Sequence, residues 1–99
     1  MKGISENQIQ QIRTTLQKYL ASDLLEAHLF GSRISGEAAE SSDLDILLKG
    51  KTAVSLAKMA LLKEEFENSS LPFRVDVIDN EGISDEFRAK ILRSSIRLI

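Results

Sequence analysis

Along this chain the spacing of apolar residues changes from helical to strand-like and back, and that alternation predicts the order of elements. Ser5-Glu6-Asn7-Gln8 fits a capping box, with Ser5 as the N-cap and Gln8 three residues on. Ile9, Ile12, Leu16 and Leu20 then fall near one helical face, which predicts a helix over about Glu6 to Leu20. Leu25 to Phe30 is short and apolar and reads as a buried strand ending at Gly31. Ser32 to Ala39 suits a short helix or helical turn, which Ser41 and Ser42 break, and Asp43 to Leu48 reads as a second strand. After a Lys49-Gly50-Lys51 turn, Thr52 to Asn68 has helical character, with Val54, Ala57 and Leu61 on one stripe and Leu62 and Phe66 paired at i, i+4. Phe73 to Ile78 is a β-branched strand behind Pro72, and proline is tolerated at such a start. Asp79 to Gly82 is a turn. Ser84 caps a last helix, with Asp85 and Glu86 in its first turn and Arg93 and Arg97 near its end, as the helix dipole favours.

The order is thus α-β-(short α)-β-α-β-α. It predicts an α/β (α+β) fold: a small twisted sheet of about three strands, with helices on one face and the polar strand residues on the other. With 99 residues and no linker or repeat, the chain is expected to be one domain over 1–99. No run of about 18 apolar residues predicts a membrane span. The N-terminus is polar and lacks a signal-peptide core, and there is no cysteine for a disulfide or thiolate metal site. The expected setting is a reducing cytoplasm. A net charge of −2 argues against direct nucleic-acid binding, yet it is compatible with a nucleotide if Mg²⁺ supplies positive charge.

Two acidic residues change the picture of the second strand. Side chains alternate faces, so Leu44, Ile46 and Leu48 point one way while Asp43, Asp45 and Leu47 point the other. The two carboxylates then lie side by side, about 7 Å apart along the backbone. The third strand repeats the oddity: Asp76 is flanked by Val75 and Val77, although aspartate is depleted in strands. Next to the second strand, Asp76 would meet Asp43 and Asp45, and three carboxylates on one patch repel and raise a pKa. Divalent cations remove that conflict, and Mg²⁺ prefers carboxylate oxygens together with phosphates and water. Gly31-Ser32 sits where a strand ends and a helical turn begins. There backbone can approach a phosphate, the turn offers N–H groups, the Ser32 hydroxyl is a further donor and Arg33 can reach phosphate oxygens. A phosphate cradle beside a two-metal carboxylate clamp suits phosphoryl or nucleotidyl transfer. Taken singly, each feature has a plain structural reading: an exposed strand edge, a turn, an Asp76–Arg74 pair. The combination G-S, ten residues, D-x-D arises by chance in roughly one chain in a thousand of this length.

Gly31-Ser32, the ten-residue spacer and Asp43-Leu44-Asp45 resemble the signature of the polymerase-β-like nucleotidyltransferase superfamily, with Asp76 where that family carries its third carboxylate. The size and the segment GSRISGEAAESSDLD look most like its minimal nucleotidyltransferase (MNT) branch, commonly the antitoxin of HEPN/MNT toxin–antitoxin pairs. The resemblance implies a mixed sheet and transfer of AMP from ATP to a tyrosine hydroxyl of a HEPN toxin. It implies Asp43, Asp45 and Asp76 as catalytic and metal-holding residues, Asp76 also assisting deprotonation of the acceptor, with Gly31 and Ser32 on the triphosphate. Many relatives read G-S-R-A-R-G where this chain has Gly31-Ser32-Arg33-Ile34-Ser35-Gly36, so the second arginine is absent. A homodimer or hetero-oligomer is compatible with a domain in which a partner helps hold base and acceptor.

Other residues are weighed against packing roles. His28 is the single histidine and is expected to be structural, as is Tyr19. Lys49 follows the carboxylate strand closely enough to reach a phosphate, although solvation is the simpler reading. Leu92, Ile96 and Ile99 recur at helical spacing in the tail, a face that either closes the domain's own core or meets a partner. Rival functions are a binding antitoxin that acts by occlusion, and a transferase acting on RNA ends or a small molecule such as an aminoglycoside.

Overall fold

Ser5 begins the first helix as its sequence predicts. Its hydroxyl accepts from the Gln8 amide at 3.2 Å, and the Gln8 side chain accepts from the Ser5 amide at 2.8 Å. In the computed structural model, which describes residues 3–35 and 43–99, helix α1 spans Glu6–Leu20. Its face of Ile9, Ile12, Leu16 and Leu20 is buried. Replacing Ser5 by alanine removes the acceptor half of the cap. It is expected to cost about 1 kcal/mol, seen as a fall of roughly 4–8 °C in the thermal midpoint.

Strands β1 (Leu24–Phe30), β2 (Leu44–Gly50), β3 (Val75–Asp79) and β4 (Ile96–Arg97) form one sheet in the order β3-β2-β1-β4. β1 is antiparallel to β2 and to β4, whereas β2 and β3 are parallel. Helix α3 (Leu56–Glu67) makes the crossover that a parallel pair requires. Helix α2 (Ser32–Ser35) follows β1, and α4 (Asp85–Arg93) follows β3. Ala27, Leu29, Leu44, Ile46, Leu48, Val75 and Val77 supply the sheet side of the core, facing Ile12 and Leu16 of α1 and Leu62 and Phe66 of α3. Leu47 points to the other face yet is 1% exposed, so that face is not wholly polar. Among the described residues no helix is long and apolar enough to cross a membrane.

The sequence pattern misplaces several details. Among the described residues there are four strands, because the tail does not continue α4: its helix ends at Arg93, and Ile96–Arg97 pairs with Leu29 and His28 of β1. Leu98 donates to the Ala27 carbonyl at 2.7 Å, so the expected helical face of Leu92, Ile96 and Ile99 does not form. Leu98 and Ile99 pack against the chain's own core instead. Arg97 is thus a strand residue and not a helix-end cation. Helix α3 starts at Leu56 with Ser55 as its cap, and its buried residues are Leu62 and Phe66; Ala57 and Leu61 of the expected stripe are exposed. β3 begins at Val75, two residues later than the pattern suggests. Of the helical turn expected over Ser32 to Ala39, residues 32–35 are helical and the rest lies outside the described residues.

Candidate active site

The carboxylates come together through strand register. Asp45 stands opposite Asp76 across the parallel pair and opposite Phe30 across the antiparallel one. Asp43 precedes β2, and the Leu44 amide donating to the Arg74 carbonyl at 2.8 Å extends the ladder to that end. Asp43 is exposed, while Asp45 and Asp76 are half-buried. Among the described residues no lysine, arginine or histidine forms an ion pair with any of the three. The structural reading in which Arg74 neutralises Asp76 therefore does not apply. Burial, the Asp76 charge and the Asp43 charge, in that order, push the Asp45 carboxyl above its ordinary value. A cluster of uncompensated oxygens is the donor set a hard divalent cation takes. Among the described residues no group of three or more histidine, cysteine, aspartate or glutamate side chains is arranged to hold a metal ion.

The raised Asp45 pKa has a consequence for stability. A carboxyl with a higher pKa folded than unfolded adds most stability when both states are protonated, and loses it as pH rises through the folded value. At neutral pH the Asp45 charge therefore opposes folding. Asp45→Asn is expected to stabilise the metal-free protein at pH 7 by about 0.5 kcal/mol after allowance for solvent screening. Melting curves across pH check this, since the gap should close below roughly pH 4. A variant less stable than wild type at pH 7 would refute it.

Gly31 is the hinge between β1 and α2. Its φ is +94°, a region that glycine enters without strain. A Cβ added there would run into Asp45 Oδ2, with Asp45 Cγ at 3.3 Å, so backbone and carboxylate are packed directly together. Ser32 follows at the start of α2 and is exposed. Arg33, expected to reach phosphate oxygens, is largely buried. It is 8% exposed, its guanidinium lies 4.3 Å over the Phe73 ring and it donates to the Gly3 carbonyl at 2.8 Å. Asp79, the other acidic residue of β3, is occupied: its carboxylate accepts from Val54 at 2.7 Å and from Glu81 at 3.0 Å. That separates it from Asp76.

The remaining expected packing residues are accounted for. His28 Nε2 lies 2.9 Å from the Glu26 carboxylate, Lys49 pairs with the same carboxylate at 3.6 Å, and the Tyr19 hydroxyl donates to Glu65 at 2.9 Å. Sequence reasoning missed a hollow of about 860 Å³ lined by Asp43, Lys63, Leu71, Pro72, Arg74 and Asp76 among others. Nothing in the local pattern marks Lys63 as its neighbour. A smaller hollow of about 210 Å³ lies at the far end of β2, beside Gly50.

A half-covered mixed sheet, a strand-to-helix glycine and three carboxylates on adjacent strand ends define a small nucleotidyltransferase. A family model described as polymerase beta, nucleotidyltransferase matches residues 10–99. The protein adenylyltransferase MntA of Thermococcus cleftensis is 32% identical over 98 residues, which is 97% of this chain and 98% of that protein. A Haemophilus influenzae relative, named a probable protein adenylyltransferase MntA, is 34% identical over 85 residues, 86% of this chain and 73% of its own. This chain belongs to the polymerase beta nucleotidyltransferase family and, within it, to the MntA protein adenylyltransferases. The same fold recurs in a solved toxin–antitoxin with AMP-PNP, with a TM-score of 0.80 and 21% identity over 92% of this chain and 72% of that one. It recurs again in a tri-AMPylated Shewanella oneidensis HEPN toxin in complex with MNT antitoxin, with a TM-score of 0.72 and 19% identity over 92% of this chain and 68% of that one.

Proposed function

We propose that this protein is an antitoxin that transfers AMP from ATP to a hydroxyl, a tyrosine hydroxyl by resemblance, of a HEPN-type toxin. The observation that carries the reading is the direct packing of Gly31 against Asp45, whose carboxylate has Asp76 across the strand pair and, among the described residues, no ion-pair partner. A backbone able to approach a phosphate, beside carboxylates that repel one another, supports the reading. Full-length likeness to a protein adenylyltransferase supports the adenylyl group as cargo.

Asp43, Asp45 and Asp76 would hold Mg²⁺, which when bound neutralises their mutual repulsion and stabilises charge on the transferring phosphate. The Gly31 backbone and the Ser32 hydroxyl orient the triphosphate. Arg33, stacked on Phe73 and donating to the Gly3 carbonyl, braces the turn from which it would reach the phosphate oxygens. In the transfer, the acceptor oxygen bonds to the α-phosphorus as the bond to the pyrophosphate oxygen breaks. Pyrophosphate leaves with the electron pair, and the hydroxyl proton passes to an Asp76 oxygen. In a cytoplasmic setting, ATP and Mg²⁺ are both at hand.

The test is incubation with α-labelled ATP, Mg²⁺ and a HEPN-type toxin from the same genome. Label on the toxin, with its RNase activity lost, supports the reading. An unlabelled toxin that is nevertheless neutralised in a tight complex would replace transfer by occlusion.

A further inference from the structure

Arg33 ties together three segments that are far apart in the chain. Its guanidinium lies 4.3 Å over the Phe73 ring and donates to the Gly3 carbonyl at 2.8 Å. Its backbone is held as closely. At Gly3 φ is +86°, and a Cβ there would come within 2.5 Å of the Arg33 carbonyl oxygen and 3.1 Å of its Cγ. Glycine takes that conformation at that distance without strain. Ile4, next to Gly3, and Phe73 are both buried in the core, so each anchor is fixed at its root. Arg33 is 8% exposed, and an apolar side chain would fill its place without the loss of hydration a buried cation suffers.

Each anchor leads to the site. On one side Arg33 follows Gly31-Ser32 directly, the Ile34 amide closes the turn on the Gly31 carbonyl at 3.0 Å, and Gly31 packs on Asp45. On the other side Phe73 is followed by Arg74, whose carbonyl accepts from Leu44, and then by β3 with Asp76. Helix α2 is four residues long, too short to hold the corner by its own hydrogen bonds. Arg33 thus spans from the corner that approaches a phosphate to the strand that carries the third carboxylate.

We propose that Phe73 and Gly3 are positioning residues for the nucleotide, acting through Arg33. The ring and the Gly3 carbonyl fix the guanidinium, and the guanidinium fixes the Gly31-Ser32 corner against the strand of Asp76. The inference rests on the transfer reading above and adds two residues, outside the segment from Gly31 to Asp45, that set how tightly ATP is held. Neither touches the nucleotide itself.

Titration with Mg²⁺ and an ATP analogue carrying a methylene between its α- and β-phosphates, which cannot transfer AMP, tests this apart from catalysis. Phe73→Leu keeps an apolar side chain and removes the ring face. It is expected to raise the Kd for the analogue about tenfold, the size of a desolvated cation–π contact. Phe73 lines the hollow beside β3, so Phe73→Tyr can place its hydroxyl there, keeps the ring and should stay within about twofold of wild type. Gly3→Ala should weaken binding to a similar degree as Phe73→Leu. The double variant should be little worse than either single, because both act through one guanidinium. Ile12→Val, a buried change in α1, is the control for lost stability: it should lower the melting midpoint and leave the Kd unchanged. Melting curves fix a temperature at which every variant is folded.

A Kd that rises as much in Ile12→Val as in Phe73→Leu would reduce the contact to general stability and overturn the proposal. So would a Phe73→Tyr that binds no better than Phe73→Leu, or single effects that add in full in the double variant. If wild type binds no analogue, the transfer reading fails and the brace falls with it; if wild type binds and the variants match it, only the brace falls.

Discussion

Asparagine at both Asp43 and Asp45 is expected to lower AMP transfer by more than about 10³-fold, the scale on which removing preorganised charge stabilisation is felt. The substitution keeps shape and removes charge. Asparagine is a poor ligand for a hard cation, so the site would lose what lets a triphosphate approach three carboxylates. The fold should not suffer: Asp43 is exposed, and the Asp45 charge opposes folding at neutral pH. A dead enzyme that melts no lower than wild type is thus the expected pairing, read by label transfer and by melting on one preparation. It separates loss of chemistry from loss of structure. Transfer retained at a tenth of wild type or more would show that these carboxylates do not hold the reacting phosphate.

Gly31→Ala is expected to reduce transfer by about 10²-fold, as when a reacting group is displaced by an ångström. It should also cost stability, at roughly 1–2 kcal/mol for a side chain in a left-handed conformation. The two losses share one cause. At φ +94° the new Cβ points into the Asp45 carboxylate, so either the β1–α2 corner or Asp45 must move. Gly82→Ala is the matched control, since nothing lies within 4 Å of a Cβ there; its effect should stay within about 0.5 kcal/mol. Equal activity in the two variants would mean that the Gly31 contact does not set the geometry of the site.

Some of this was legible in the order of residues and some was not, for physical reasons that differ by element. Helix α1 carries its own start signal and a single apolar stripe, both local, and it forms over Glu6–Leu20 as expected. Helix α3 is apolar on more than one side, so the pattern could not say which stripe would turn inward. Packing chose Leu62 and Phe66 and left Leu61 exposed. The tail failed in a different way. Leu92, Ile96 and Ile99 mimic a helical repeat, but two residues of strand are stabilised only by pairing with β1, far away in sequence. The sequence places Arg33 next to Gly31-Ser32, but only the fold brings its guanidinium over Phe73, remote in the chain.

What the sequence determined by itself was the chemistry: a glycine where a strand must turn, and acidic residues at alternate positions of one strand and in the middle of another. Those are local statements, because strand alternation alone decides which side chains share a face. What only the tertiary structure decided was which of these groups meet. The parallel register sets Asp45 against Asp76, Asp79 is turned away to bind backbone, and a hollow opens where Lys63 of α3 comes near Arg74. Contacts of that kind depend on the crossover closing and the core packing, and no local run of residues encodes them alone.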